Sequence, residues 1–221
     1  MPTNELISSQ DLRAIEKDLK RFIMVYRFGL DEVNTKINIL NEEFQQIHDY
    51  NPIEHVKTRI KSPKSILSKV NRKNVEMSLE AIGENIRDIA GIRIVCSFVS
   101  DIYLVAGMIE KLESIKIIES KDYIKTPKPN GYQSLHMIIQ VPVYLSDRVE
   151  ETYVEVQIRT AGMDFWASLE HKIYYKYDGE IPKTLEDELR DAALKVSELD
   201  EKMEDLNKKV LEIKQHVSDN N

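Results

Sequence analysis

Two long runs of helical periodicity bracket this chain and confine any sheet to its middle. Between positions 12 and 47 apolar residues recur at steps of three and four, from Leu12 and Ile15 through Leu30, Val33 and Ile37 to Phe44 and Ile47. That spacing lines one face of a long α-helix. Ser8 or Ser9 can cap its start, Gly29 can bend or interrupt it, and Asn51-Pro52 should end it. Near the other end Leu185, Leu189, Ala192, Val196, Leu199, Met203, Leu206, Val210 and Ile213 alternate steps of four and three, a heptad pattern. It fits a helix packed on its own domain or a self-associating one, and the sequence leaves both readings open.

The middle mixes the two periods. A basic helix is expected over about 53–72, another helix near 78–88, a strand over 92–98 and a helix over 100–112. A short strand near 115–119, a loop over 121–131, strands near 133–143 and 151–159, and a helix around 164–176 follow. Consecutive strands joined by short loops pair antiparallel, so the expected fold is α+β, with a mixed, largely antiparallel sheet flanked by helices. The chain is expected to divide into an N-terminal helical segment (1–52), a central domain (53–180) and a C-terminal amphipathic helix (181–221), expected as an oligomerisation element.

Composition narrows the class. The chain has 221 residues, of which 42% are hydrophobic and 31% charged, values typical of a folded globular protein. No apolar run reaches the roughly 20 residues that span a bilayer, and the start lacks a secretory pattern, so no membrane is expected and the expected location is cytoplasmic. Cys96 is the only cysteine, which rules out an internal disulfide and a cysteine-rich zinc site. It lies in an apolar run and reads as a small core residue. The net charge is −7, unevenly spread: residues 51–80 hold seven basic side chains against three acidic ones, whereas 181–221 hold eleven acidic against seven basic. An acidic scaffold around a basic cleft suits a phosphorylated small molecule better than a long nucleic acid.

The candidate chemistry sits in four places. Arg59, Lys61, Ser65 and Lys69 are spaced so that on a helix they share a face able to grip polyphosphate. Asp88, just before a strand, can offer oxygen to a hard cation such as Mg²⁺. Glu155, Gln157 and Arg159 fall on one face of a strand whose other face carries Val154, Val156 and Ile158. In the loop, Gly131 permits positive φ, Pro127 and Pro129 stiffen the approach, Lys128 can meet a phosphate and Tyr132 can stack on a base. His136 can donate to a phosphate or orient a hydroxyl.

Together, Arg-x-Lys-x-x-x-Ser-Ile-x-x-Lys (59–69), Arg-Asp-Ile-Ala-Gly-Ile-Arg (87–93), Tyr-Ile-x-x-Pro-Lys-Pro-Asn-Gly-Tyr-Gln-Ser-Leu-His (123–136), Val-Glu-Val-Gln-Ile-Arg-Thr (154–160) and Phe-Trp-Ala-x-x-Glu-His (165–171) resemble the synthetase domain of the RelA/SpoT family. The short chain looks like a small alarmone synthetase of the RelP/RelQ kind. The resemblance implies a nucleotidyltransferase-like sheet and pyrophosphate transfer from ATP to the 3′-hydroxyl of GDP or GTP. It implies that Arg59 and Arg93 sandwich adenine while Lys61, Ser65, Lys69 and Arg72 hold the ATP phosphates. Asp88 and Glu155 would be catalytic and bind Mg²⁺, with Glu155 helping the metal or drawing the proton from the 3′-hydroxyl. Tyr132 would stack on guanine, with Lys121, Lys128, His136 and Gln157 near the acceptor. Asp164 falls where relatives such as RelQ carry an asparagine, and would accept from the guanine edge. Lys121 stands where arginine is also found, which forgoes bidentate phosphate recognition. A homotetramer is implied as well. Two other classes remain open: a noncatalytic guanosine-nucleotide-binding oligomer, and an RNA-binding module, which the acidic C-terminal end opposes.

Overall fold

The computed structural model describes residues 9–176 and 182–218. Within them the chain runs α1 (Ser9–Ile47), β1 (Ile53–Ile60), α2 (Pro63–Lys73), α3 (Leu79–Asn85), β2 (Ala90–Cys96), α4 (Val99–Glu110), β3 (Lys116–Asp122), β4 (Leu135–Tyr144), β5 (Val149–Thr160), α5 (Ala161–Lys176) and α6 (Lys183–Ser218). The five strands form one sheet in the order β1-β2-β5-β4-β3. Only β2 and β5 pair parallel; the other three pairs are antiparallel. This is the α+β, largely antiparallel arrangement expected from the sequence.

The expected basic helix over 53–72 is two elements instead. Residues 53–60 form an edge strand antiparallel to β2, and the helix begins only at Pro63. The local chemistry explains the break. Ile53, Val56, Thr58 and Ile60 are β-branched and favour the pleated chain, and Pro63 has no N–H to give to a helix interior yet suits a first turn. Ser62 caps that turn by accepting from the Ser65 N–H at 3.2 Å, and Asn74 at φ 51° ends the helix. Arg59, Lys61, Ser65 and Lys69 therefore do not share a helical face. They come from a strand, a connection and a helix that fold towards one another.

One sheet face is the core. Ala90, Ile92, Ile94 and Cys96, alternate residues of β4 from Leu135 to Val141, and Val154, Val156 and Ile158 pack with Val33 and Ile37 of α1 and with Ile102, Val105 and Ile109 of α4. Each fully buried isoleucine contributes about 1.5–3 kcal/mol relative to exposure. Burial pushes the Cys96 thiol well above its ordinary value. The helix α1 crosses β1, β2, β4 and β5 and continues unbroken through Gly29. That glycine serves close approach, since a Cβ there would stand 2.2 Å from Thr152 Cγ2. Of the two expected caps, Ser8 lies outside the described residues and Ser9 is the first residue of α1. No described helix is long and apolar enough to cross a membrane.

The C-terminal helix resolves the heptad ambiguity in two parts. Leu189 and Ala193 bury against Trp166, with Leu185 and Val196 alongside, and Trp166 Nε1 donates to the Leu189 carbonyl at 2.9 Å. The docked stripe continues through Asp200, which accepts from Thr160 at 2.6 Å, and Glu204, which accepts from Ser100 at 3.1 Å. It thus runs through Ala193 rather than Ala192. The heptad residues beyond Val196, namely Leu199, Met203, Leu206, Val210 and Ile213, are exposed.

Candidate active site

The face opposite the core carries polar side chains in register. One row across the five strands reads Lys57, Arg93, Gln157, His136 and Lys121; the next reads Arg59, Gly91, Glu155, Ile138 and Glu119. The period of two puts these residues on one surface, as it puts the valines and isoleucines on the other. Glu155 is the carboxylate in the middle of the second row, with no side chain on Gly91 beside it.

Glu155 lines two clefts. One, of about 200 Å³, is bounded by Lys57, Arg59, Gly91, Arg93, Glu155 and Gln157. The other, of about 310 Å³, is bounded by Lys69, Lys73, Arg87, Asp88, Lys121 and Glu155, among others. Arg59 approaches Glu155 at 3.8 Å from the first side. Burial alone would raise the Glu155 carboxyl and the neighbouring Asp88 charge adds to this; the contacts from His136 and Gln157 outweigh both, so it is held below the ordinary carboxylate range.

Asp88 lies in the short stretch between α3 and β2. Its Oδ2 accepts from Lys61 Nζ and from Lys69 Nζ, each at 2.5 Å. Burial would raise its carboxyl, but these two hydrogen bonds dominate and hold it low. Burial also lowers the Lys61 ammonium, with Asp88 opposing. The other oxygen, Asp88 Oδ1, is buried with no partner. A buried carboxylate oxygen without a donor is an incomplete arrangement, and Asp88 and Glu155 lining one cleft with Lys69, Lys73, Arg87 and Lys121 suit a hard divalent cation that keeps waters and takes phosphate oxygens. The residues present therefore fit Mg²⁺. No group of three or more His, Cys, Asp or Glu able to hold a metal forms among the described residues.

The loop after β3 supplies the aromatic side. Lys121 is the penultimate residue of β3 rather than part of the loop, and pairs with Glu119 at 2.8 Å. Gly131 has φ 88° and its N–H closes a turn on the Lys128 carbonyl at 2.8 Å. A Cβ at this glycine would lie 2.5 Å from Ala193 Cβ, so the loop rests directly on α6. Lys128 Nζ stands 4.7 Å from the ring centroids of both Tyr123 and Tyr132. The Tyr132 hydroxyl lies 2.7 Å from His136 Nε2 and accepts from Arg159 at 2.7 Å. Burial raises that hydroxyl's pKa. Asp164, expected at a guanine edge, has Oδ1 3.0 Å from Arg93 and 3.2 Å from Arg159.

Of the expected set, Ser65 sits exposed in the first turn of α2, its hydroxyl 2.9 Å from that of Ser62. Arg72 is exposed in the last turn of α2 and lines neither cleft. The other residues converge. Three cations were not singled out: Lys57 and, on the second cleft, Lys73 and Arg87. Buried Arg159 was placed by alternation on the strand face of Glu155, but with no role of its own.

Residues 58–180 match the family described as a region found in RelA/SpoT proteins. The chain belongs to the RelA/SpoT family. This RelA/SpoT chain is 52% identical over 200 residues to the GTP pyrophosphokinase YwaC of Bacillus subtilis, covering 90% of this chain and 95% of that protein. It superposes on the crystal structure of small alarmone synthetase 2 from Bacillus subtilis with a TM-score of 0.80 and 51% identity, over 87% of this chain and 99% of that one. Small alarmone synthetase 1 from the same organism, bound to its product pppGpp, gives a TM-score of 0.82 at 36% identity, over 88% and 98% of the two chains. Within the family match lie both carboxylates and every residue named on the two clefts except Lys57, whereas α1 and α6 fall outside it.

Proposed function

We propose that this chain is a (p)ppGpp synthetase, moving pyrophosphate from ATP to the 3′-hydroxyl of GDP or GTP and leaving AMP with ppGpp or pppGpp. The carrying observation is that Glu155 borders both clefts: a transfer between two nucleotides needs one group that reaches both. The names of the relatives support the same reading, since one is a GTP pyrophosphokinase and another holds pppGpp.

On this reading the first cleft is the donor-base site. Arg59 and Arg93 hold adenine between their guanidinium planes, which stack on aromatic faces. Lys61 and Lys69, with Ser65 and Arg72 nearer the rim, take the ATP phosphates; two of these cations already sit on Asp88 and meet the phosphates from there. Asp88 and Glu155 hold Mg²⁺, which when bound neutralises phosphate charge and aligns the transferred group. Glu155 receives the proton of the attacking 3′-hydroxyl, for which its low-lying carboxyl is in the charged form at neutral pH. Lys121 and Lys128 face the acceptor phosphates and Tyr132 the guanine. His136 and Gln157 stand beside Glu155, and Asp164 acts from its place between Arg93 and Arg159. Phosphoryl-type transfer asks for alignment and charge neutralisation rather than a covalent protein intermediate, and the inventory supplies both.

The residues 53–180 act as the synthetase unit, α6 joins copies into an oligomer, a tetramer on this reading, and the protein works in the cytoplasm on its two nucleotide substrates. Incubating purified protein with ATP, Mg²⁺ and GDP or GTP and resolving the nucleotides by anion exchange tests the function. AMP together with a more highly phosphorylated guanosine nucleotide is expected; unchanged nucleotides would sink the reading.

A further inference from the structure

Five side chains close a ring on the acceptor side of the sheet: Glu155, Gln157, Arg159, Tyr132 and His136. Arg159 is 3% exposed and has only donors. One of its nitrogens, NH2, donates to Gln157 Oε1 at 2.5 Å and to the Tyr132 hydroxyl at 2.7 Å. NH1 donates to Asp164 Oδ1 at 3.2 Å, which balances the buried charge.

Because Arg159 cannot accept, both of these hydrogen bonds run away from it. Gln157 must turn its carbonyl oxygen to Arg159, which leaves its amide to donate to Glu155 Oε2 at 2.8 Å. Tyr132 accepts from Arg159 on one lone pair and keeps its own proton, which His136 Nε2, 2.7 Å away, can take. With Nε2 accepting, the neutral imidazole carries its proton on Nδ1, and Nδ1 faces Glu155 Oε1 at 3.5 Å. Both chains start at Arg159 and end on opposite oxygens of the same carboxylate.

We propose that Arg159 is a positioning residue: it sets the polarity of two hydrogen-bond chains, through Gln157 and through Tyr132 and His136, that converge on Glu155 and hold it between the two clefts. The proposal deepens the reading of Glu155 given above and rests on it for its kinetic consequence. Its structural content stands apart, because the His136 tautomer is read in the free protein whatever the reaction.

The full chain with isotope-labelled histidine is examined by heteronuclear NMR, a His136→Gln variant identifying the resonance. In the wild type, neutral His136 is expected as the Nδ1–H tautomer. Arg159→Met is expected to convert it to Nε2–H, and Arg159→Lys, still a pure donor, to keep Nδ1–H. Tyr132→Phe, which spares the guanidinium, is expected to release the tautomer too, and this variant carries the test if Arg159→Met does not fold. In turnover, Arg159→Met is expected to lower kcat by about tenfold or more with the KM for ATP within about twofold, and Arg159→Lys to recover part of the loss. An Nε2–H tautomer in the wild type, or a folded Arg159→Met with Nδ1–H retained and wild-type kcat, overturns the proposal. A wild type that makes no product but whose tautomer responds to Arg159 contradicts the function and supports the polarity.

Discussion

Lys69 Nζ and Asp88 Oδ2 lie 2.5 Å apart, while Asp88 Oδ1 is buried with no partner. The same carboxylate thus offers one oxygen to Lys61 and Lys69 and keeps the other free. Replacing it by an amide retains the shape and removes the charge. Asp88→Asn is expected to lower kcat/KM at least about 100-fold, with an unchanged far-ultraviolet dichroism spectrum, and to lose the response of the wild type to Mg²⁺ titration. Turnover within a few-fold of wild type would remove Asp88 from the metal role.

Gly131 tests the seat of the acceptor loop on α6. An alanine there meets a backbone that disfavours side chains, at a cost of about 1–2 kcal/mol, and its Cβ would press on Ala193. Gly131→Ala is expected to raise the KM for GDP or GTP several-fold while leaving that for ATP nearly unchanged. Equal effects on both substrates would mean the loop is not confined to the acceptor half.

Asp200 gives a pH signature for the docking of α6. Burial raises its carboxyl above the ordinary value of 3.8, with the Thr160 hydroxyl opposing. A carboxyl that binds its proton more tightly in the folded chain favours folding as pH falls, so stability should decline as pH rises from below 3.8 through the raised folded value. Asp200→Asn, which can still accept from Thr160, is expected to flatten that part of the denaturation profile and to be no less stable at neutral pH. A difference profile, wild type minus Asp200→Asn, with no such decline would contradict the assignment.

The exposed stripe of Leu199, Met203, Leu206, Val210 and Ile213 continues the heptads past the docked part of α6. On the proposed reading a contiguous apolar stripe at that spacing packs against a second copy. Light scattering at micromolar concentration is expected to give a mass above that of one chain, and Leu199→Glu with Leu206→Glu to reduce it. A monomeric wild type would overturn the oligomer.

Much of this was legible in the sequence because the terminal helices and the inner strands obey one period each. The Glu155 and Gln157 face followed from alternation alone. β1 was misread because it is an edge strand whose charged side chains face a cleft, so it lacks apolar alternation, and its cations happen to continue at helical spacing into α2. Lys73 and Arg87 join the second cleft only when α2 and the end of α3 fold beside β3, a juxtaposition no local pattern carries. Arg159 shares a visible face with Glu155, but its role depends on Tyr132, His136 and Asp164 arriving from a loop, another strand and a helix.

The central claim is that the β- and γ-phosphates of ATP move together onto a guanosine nucleotide. ATP labelled in its β-phosphate, supplied with Mg²⁺ and GDP, is the most direct measurement. Label is expected in the guanosine product, with AMP formed one for one and both lost in Glu155→Gln. Label left in ADP, or a guanosine fraction that stays unlabelled while ATP is consumed, would contradict the account.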